Sequence, residues 1–468
     1  MKSTVESEKE RENRTIVLPL GNTLNEYNEL ISTEVGMNQL IRRVEIADKL
    51  NWGHLADRHK PGCCRGHRFT CHGSYERGLN HYTGDRARVA IVRARCLDCG
   101  AAFTVLPAFV VRYKRQDADA IEKMMVQLFI TEDSYRMAGV SQALAMDTAQ
   151  VGTWAALEAA QKRAIAPKAL WRLVQWVGQL SPTQMNLALG VEPPDYILTD
   201  EKHTKENGER TYVPMIYDFQ VALIWWIDYL DSVSKDALRA SFERFKAIDE
   251  RLAHILGATV DGWDPTQEAL LGAFEMITLA ECHLHAMLKL GTHLATYKRQ
   301  RKNDGQPVSE AEEQQIRAAF VRVLEAPTPE AYQQALDELP EAFDNKPLDS
   351  RKRSLKAKQV LFQAWTTDDN LARTSTALDQ CMKFLNRKLD NMQTFRTDES
   401  APRTLNAWAL TRNCWRFLKG AKRAGQSPLE LAGACFYNIP WMQWVNLALC
   451  AFPTMVLFTG VIGLLLST

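Results

Sequence analysis

Apolar and polar positions change period several times along the chain, and each change marks an element. Tyr196-Ile197-Leu198-Thr199 is a short apolar run that ends in Asp200. Ala258-Thr259-Val260 is a second run, ending in Asp261 and followed at once by Gly262. Around them the pattern predicts strands at 194–200, 211–217 and 221–229. A helix follows over 234–256, then a strand at 257–261, a helix at 265–274 and a strand at 275–280. Apolar residues at helical spacing predict a helix at 118–129, a second at 133–145 and, after the Asp147-Thr148 turn, a third at 149–164. Residues 87–95, with Val89, Ile91 and Val92, read as a strand. Residues 287–370 are mostly helical and polar-amphipathic. From Trp444 to Leu466 no residue is charged, which is long enough to span a bilayer or to form a helix buried against the body.

Three strands, helix, strand, helix, strand is the element order of an RNase H-like α/β core, interrupted here by an all-α insertion. In that fold the first strand and the end of the fourth each carry an acid, and the two face one another. Asp200 and Asp261 occupy those places. A lone aspartate at a strand end is usually a cap or turn residue. Two of them, with Cys282 and His285 in a C-x-x-H pair just beyond, describe a site for metal-dependent phosphodiester chemistry. Carboxylates suit Mg²⁺, and two ions about 3.5–4 Å apart would activate the attacking oxygen and stabilise the leaving one. Trp225, Trp226 and Trp263 read as core aromatics, and His283 as a structural or surface residue.

Length changes the picture to several domains, since 468 residues exceed one ordinary unit. The net charge of +1 excludes nothing, but its distribution is uneven. Twelve Lys/Arg lie between Arg58 and Arg115 against three acids, Glu76, Asp85 and Asp98, a balance suited to a polyanion. Five of the ten cysteines fall between Cys63 and Cys99. With no signal peptide this spacing reads as a metal site in a reducing cytoplasm rather than a disulfide framework. Cys96-Leu97-Asp98-Cys99-Gly100 is a knuckle able to give Zn²⁺ two thiolates. Cys64 and His67 have the matching gap, with Cys63 or Cys71 able to replace either. The three helices after it suit a helix-turn-helix, although any three-helix bundle has the same pattern.

The stretch Cys99-Gly100-Ala101-Ala102-Phe103-Thr104-Val105-Leu106-Pro107, running on to Tyr113-Lys114-Arg115, resembles the zinc-ribbon segment of certain bacterial insertion-sequence transposases, as does His72-Gly73-Ser74-Tyr75. Downstream, Thr374-Ser375-Thr376-Ala377-Leu378-Asp379, then Asn386-Arg387-Lys388-Leu389 and Gln393-Thr394-Phe395-Arg396, is similar to the end of the catalytic domain in DDE-type transposases with a C-x-x-H signature and a helical insertion. The resemblance covers 58–432. It implies a catalytic, Mg²⁺-binding set of Asp200, Asp261 and Asp379, with Mn²⁺ able to substitute. It also implies a C-x-x-H pair at Cys282 and His285, and a basic helix in which Asn386, Arg387 and Lys388 touch DNA phosphates. The family's third acid is Glu, one methylene longer than Asp379, and Thr376 stands where it has Asn. Asp398 and Glu399 are alternative third acids.

The implied protein is a cytoplasmic, nucleoid-associated DNA transposase. Its partners would be double-stranded DNA, both transposon ends and target, and further copies of itself. It would carry one structural Zn²⁺ on Cys64, His67, Cys96 and Cys99. Its parts would be a partly disordered segment (1–50), a zinc β-ribbon (51–116), a helix-turn-helix-like region (117–170), the core (190–286 and 371–432) split by the insertion (287–370), and an apolar tail (433–468). Two other classes fit the same residues: a catalytically inactive DNA-binding descendant, and a membrane-tethered nuclease that uses the tail as its anchor.

Overall fold

The computed structural model describes residues 15–52, 67–80, 86–145, 165–206, 209–392, 395, 397, 399–451, 462, 465 and 466. It is a mixed α/β protein with two sheets, divided into two units, residues 1–192 with 397–468 and residues 193–396.

In the first unit a four-stranded sheet has the order β1-β4-β3-β2. Its strands are β1 (Thr15–Leu18), β2 (Phe69–Asn80), β3 (Arg86–Cys96) and β4 (Ala102–Pro107). Two helices, α1 (Leu24–Ser32) and α2 (Glu34–Lys49), separate β1 from β2. The first strand pairs in parallel with β4, whereas β2-β3 and β3-β4 are antiparallel. Of the segment expected to be partly disordered, 1–50, the described residues from Thr15 onward form β1, α1 and α2. Trp52 Nε1 donates to Val17 O at 3.0 Å and Tyr27 Oη to Ala90 O at 2.9 Å, so buried polar groups tie it down. Helices α3 (Ala118–Phe129) and α4 (Tyr135–Ala145) follow, then α5 (Pro167–Val177) and α6 (Pro182–Ala188). The Asp117 carboxylate caps α3 by accepting from Ala120 N at 2.8 Å. The expected third helix at 149–164 lies outside the described residues.

The second unit holds a five-stranded sheet of order β7-β6-β5-β8-β9. Its strands are β5 (Tyr196–Glu206), β6 (Glu209–Asp218), β7 (Leu223–Ile227), β8 (Gly257–Val260) and β9 (Thr278–Glu281). Pairs β5-β6 and β6-β7 are antiparallel; β5-β8 and β8-β9 are parallel. Every residue of β8 is buried, as expected where both faces of parallel strands are covered. Between β7 and β8 lies α7 (Lys235–Lys246), and between β8 and β9 lies α8 (Asp264–Ala273). The helix predicted over 234–256 stops at Lys246. Asp249 is extended there and accepts from Arg251 N at 3.0 Å, starting a separate short turn. Trp225 is fully buried, but Trp263 is 49% exposed and is not a core residue.

After β9 come α9 (His283–Asn303), α10 (Glu310–Leu324), α11 (Pro329–Asp337), α12 (Lys346–Ala357) and α13 (Gln359–Thr367). They bury a core of their own that includes Leu290, Leu294, Ile316, Phe320, Tyr332, Phe343 and Leu355. The unit closes with α14 (Thr376–Met392).

The core's expected last part, 371–432, is cut at Arg396. From Thr397 the chain returns to the first unit as α15 (Ser400–Cys414), α16 (Pro428–Leu431) and α17 (Trp441–Ala451). Gln175 Nε2 donates to Thr404 Oγ1 at 3.0 Å, and Trp408 and Leu410 are buried. The tail's α17 is docked too. Asn446 Nδ2 donates to the carbonyls of Ala108 and Val110 at 2.8 and 3.1 Å, and Trp444 is fully buried. Among the described residues no helix is long and apolar enough to cross a membrane; 452–461 lie outside them.

Candidate functional site

Parallel pairing of β5 with β8 sets the site. The last registered pair is Leu198 with Thr259, and Asp200 and Asp261 each lie two residues further along. Because side chains alternate along a strand, the two-residue step keeps Asp200 on the face of that pair, and Asp261 leaves β8 one residue past its end. Asp379 reaches the same place from the first turn of α14, and His285 from the first turn of α9. Single ligand atoms of Asp200, His285 and Asp379 lie within 4.8 Å of one another. His285 Nε2 is 3.9 Å from Asp200 Oδ2 and 3.9 Å from Asp379 Oδ1. Asp261 stands slightly apart and faces Lys289 Nζ at 3.7 Å. Lys289 is four residues after His285 on α9, so one helix face presents both cations to the three acids.

Burial and like charge shape the electrostatics. Burial pushes the Asp200 carboxyl up to about 6; His285 opposes the shift, and the charges of Asp261 and Asp379 add to it. His285 is pushed up to about 9, first by its hydrogen bond with Cys282 and then by the two aspartates, against the effect of burial. Burial drives the Cys282 thiol up, but its hydrogen bonds to His285 and Ser375 outweigh this and lower it. Next to Asp200, Glu201 is pushed up to about 8 by burial, and its Oε1 accepts from Thr266 Oγ1 at 2.6 Å.

The C-x-x-H pair acts through Ser375. Ser375 N donates to Cys282 Sγ at 3.2 Å, and Ser375 Oγ lies 3.3 Å from that sulfur. The same hydroxyl is 3.2 Å from His285 Nδ1 and donates to Asp379 Oδ2 at 3.1 Å. Ser375 immediately precedes α14 and its carbonyl accepts from Asp379 N at 2.9 Å. This one residue links the start of α9 to the acid on α14. His283 points away, buried against Phe362 and Trp365 with Nε2 3.1 Å from Phe362 O.

Sequence reasoning passed over Glu281, Ser375, Lys289 and Lys358. Glu281 ends β9, is 4% exposed, and lies 3.3 Å from Lys358 Nζ and 3.4 Å from Gln267 Nε2. A Cβ on Gly262 would come within 2.2 Å of Glu281 Oε1 and 2.8 Å of Lys289 Nζ, so a larger residue in the turn after Asp261 would have to push these two side-chain ends aside. Glu281's place at the end of the last strand, one residue before Cys282, was the available signal.

A cleft of about 660 Å³ continues along the same strand and helix, lined by Lys202, His203, Thr204 and Arg210 with Asn386, Leu389 and Asp390 of α14. Arg387 is exposed, its guanidinium 5.5 Å from the Phe384 ring. Lys388 is 3% exposed and does not face solvent as a phosphate contact must, because α14 turns it inward beside Leu385. Glu399 belongs to the other unit, and Asp398 is outside the described residues.

Of the four residues expected to hold zinc, Cys64 lies outside the described residues. Cys96 is buried at the end of β3 and Cys99 is half-buried in the turn, where Gly100 N donates to Cys96 O at 3.0 Å. Leu97 N donates to Arg68 O at 2.9 Å, which lays His67-Arg68 beside this turn. His67 Nδ1 sits 2.5 Å from Asp48 Oδ2. Asp200, His285 and Asp379 form the one grouping of three or more potential ligands among the described residues.

Residues 61–144 match a family described as "Domain of unknown function (DUF6431)", which spans β2 to β4 and the two helices after them. No curated protein matches the chain.

Proposed function

We propose that the chain is a DDE-type DNA transposase of an insertion sequence. It would bind terminal inverted repeats, nick at the transposon end, and join the freed 3′-hydroxyl to target DNA. The observation that carries this reading is the grouping of Asp200 on β5 with Asp379 on α14, while Asp261 directly follows β8, the parallel neighbour of β5. A sheet with two antiparallel strands on one side of β5 and two parallel strands on the other supports an RNase H-like core. The helices α9 to α13 then take the place of the helical insertion between the second and third acids.

The three carboxylates fit a divalent cation. They are hard donors, partly open to solvent, and the shift at Asp200, set first by burial and added to by the charges of Asp261 and Asp379, is one that a bound cation would oppose. Asp200, Asp261 and Asp379 would hold Mg²⁺ or Mn²⁺, which when bound supplies Lewis acidity and lowers the pKa of an attacking oxygen. The chain's own residues do the remaining work. Ser375 orients Asp379, and Gly262 lets Glu281 and Lys289 close behind Asp261. The cleft with Lys202, His203 and Arg210 offers a path for a phosphate backbone leading away from the acids. In the first unit Cys96 and Cys99, with His67 and Cys64, suit one structural Zn²⁺. Asp48 on His67 Nδ1 would leave Nε2 for the metal. Paired transposon ends call for a homo-oligomer, and the setting is the bacterial cytoplasm.

One observation favours a second reading, a transposase-derived DNA-binding protein without activity. Lys289 and His285 already counter the acids with fixed cations, and Asp379 is shorter than the family's Glu. A single experiment separates the two. Labelled DNA carrying the repeats that flank the reading frame is incubated with Mg²⁺ or Mn²⁺ and either wild type or Asp261→Ala. Nicking at the repeat boundary that vanishes in the variant establishes the enzyme. Binding without cleavage by both proteins overturns it in favour of the second reading.

A further inference from the structure

The first unit carries a cationic pocket remote in sequence from the acid site. A cavity of about 410 Å³ opens beside the β2 and β4 strands and the turn after β4. Arg77, Arg112, Lys114 and Arg115 contribute four cations to it, together with Tyr75 and Tyr113, and no carboxylate stands among its described lining residues. Burial, and then the nearby Arg172 charge, lower the Lys114 amine.

The pocket is built rather than accidental. Arg77 NH2 donates to Val111 O at 2.9 Å and to Lys114 O at 2.5 Å, spanning the turn from inside. Lys114 N donates to Val111 O at 3.2 Å, and Asn80 N to Arg115 O at 2.7 Å, which pins the far end to β2. Held this way, Tyr113 adopts a left-handed backbone (φ 56°), a conformation that disfavours bulky residues. The residue is nonetheless 66% exposed, and Tyr75 is 44% exposed. The Arg112 guanidinium lies 4.8 Å from the Tyr113 ring centroid. A strained, exposed aromatic held over cations combines a face for stacking with charge for a phosphate.

We propose that this pocket holds one unpaired nucleotide of a nucleic-acid strand, its phosphate among Arg112, Lys114 and Arg115 and its base against Tyr113. A stacked base must have left its duplex partner, so the ligand is a single-stranded segment; aromatic platforms beside cationic grooves bind such strands with little sequence preference. The site lies in a different unit from the acids and does not depend on the catalytic reading.

The test uses the full chain in chelator, where cleavage cannot contribute, and follows anisotropy of a labelled oligothymidylate and of a blunt mixed-sequence duplex. Tyr113→Ala should weaken oligothymidylate binding about tenfold with an unchanged salt slope, while Tyr113→Phe retains it. The Arg112→Ala/Arg115→Ala double variant should weaken it at least as much and lower the log–log salt slope by about 0.7, the contribution of the one phosphate that is no longer neutralised. Duplex binding should change less than threefold in the tyrosine variants. Arg77 is left intact so that the turn keeps its support, and circular dichroism checks the fold. Unchanged oligothymidylate affinity in folded variants overturns the proposal, as does an equal loss on duplex. Competition by thymidine monophosphate at the concentration of oligonucleotide that competes equally would also overturn it, by making the ligand a free nucleotide.

Discussion

Glu122 offers a sharp test of how the C-terminal segment is held. It lies on α3, and its carboxyl, bonded to the Met442 backbone and the Trp441 side chain, is pushed up to about 7 mainly by burial, with Asp119 adding to the shift. Its Oε2 is buried without a hydrogen-bond partner. The free carboxyl titrates near 4.5, so the folded form keeps its proton at higher pH than the unfolded chain does. For an acid raised in this way, stability is present below pH 4.5 and is lost as pH rises through about 7. A gap of about 2.5 units at ~1.36 kcal/mol per unit corresponds to about 3 kcal/mol at pH 8 and almost nothing at pH 4. Glu122→Gln keeps the shape and removes the charge. The variant should gain about 3 kcal/mol at pH 8, seen as a rise of about 6 °C in the calorimetric transition of this unit and as slower amide exchange in α3 and α17. At pH 4 the two proteins should coincide within about 0.5 kcal/mol. No gain at pH 8, or the same gain at both pH values, would refute a buried, docked α17 facing α3.

The remaining predictions concern the acid site and its supports. Gly262→Ala puts a methyl where Glu281 Oε1 and Lys289 Nζ approach, so both side chains must turn aside and Lys289 loses its position facing Asp261; repeat-end cleavage should fall about tenfold while DNA binding persists in anisotropy. Ser375→Ala removes the hydroxyl shared by His285 and Asp379, and cleavage should drop about tenfold with melting changed by less than a few degrees; Ser375→Thr should restore part of it. Lys358→Met leaves the buried Glu281 without its cation and should destabilise the second unit by about 3 kcal/mol in urea titrations, with Lys358→Met/Glu281→Gln recovering most of that loss.

Local pattern made some of this visible and hid the rest for definable reasons. The runs before Asp200 and Asp261 stand out because buried parallel strands are almost wholly apolar, so a charge marks where the strand leaves the core. Asp379 was visible only through resemblance, since the first turn of any amphipathic helix tolerates an acid. Glu281 and Lys358 are separated by a complete helical subdomain, and no periodicity predicts a pair that forms only after α9 to α13 have folded back. The unit boundary at Arg396 has the same cause: α15 and α17 meet partners such as Gln175 and Ala108 more than two hundred residues earlier. For the uncharged tail, composition alone leaves its surroundings open. Charge alone admits a membrane span, but Gln443 and Asn446 sit within that helix or at its start, and amides cannot face lipid without partners. Each finds a backbone carbonyl in the first unit instead, at Asn22 and at Ala108. The polar residues of an apolar segment, more than its hydropathy, reveal whether its surroundings are protein or lipid.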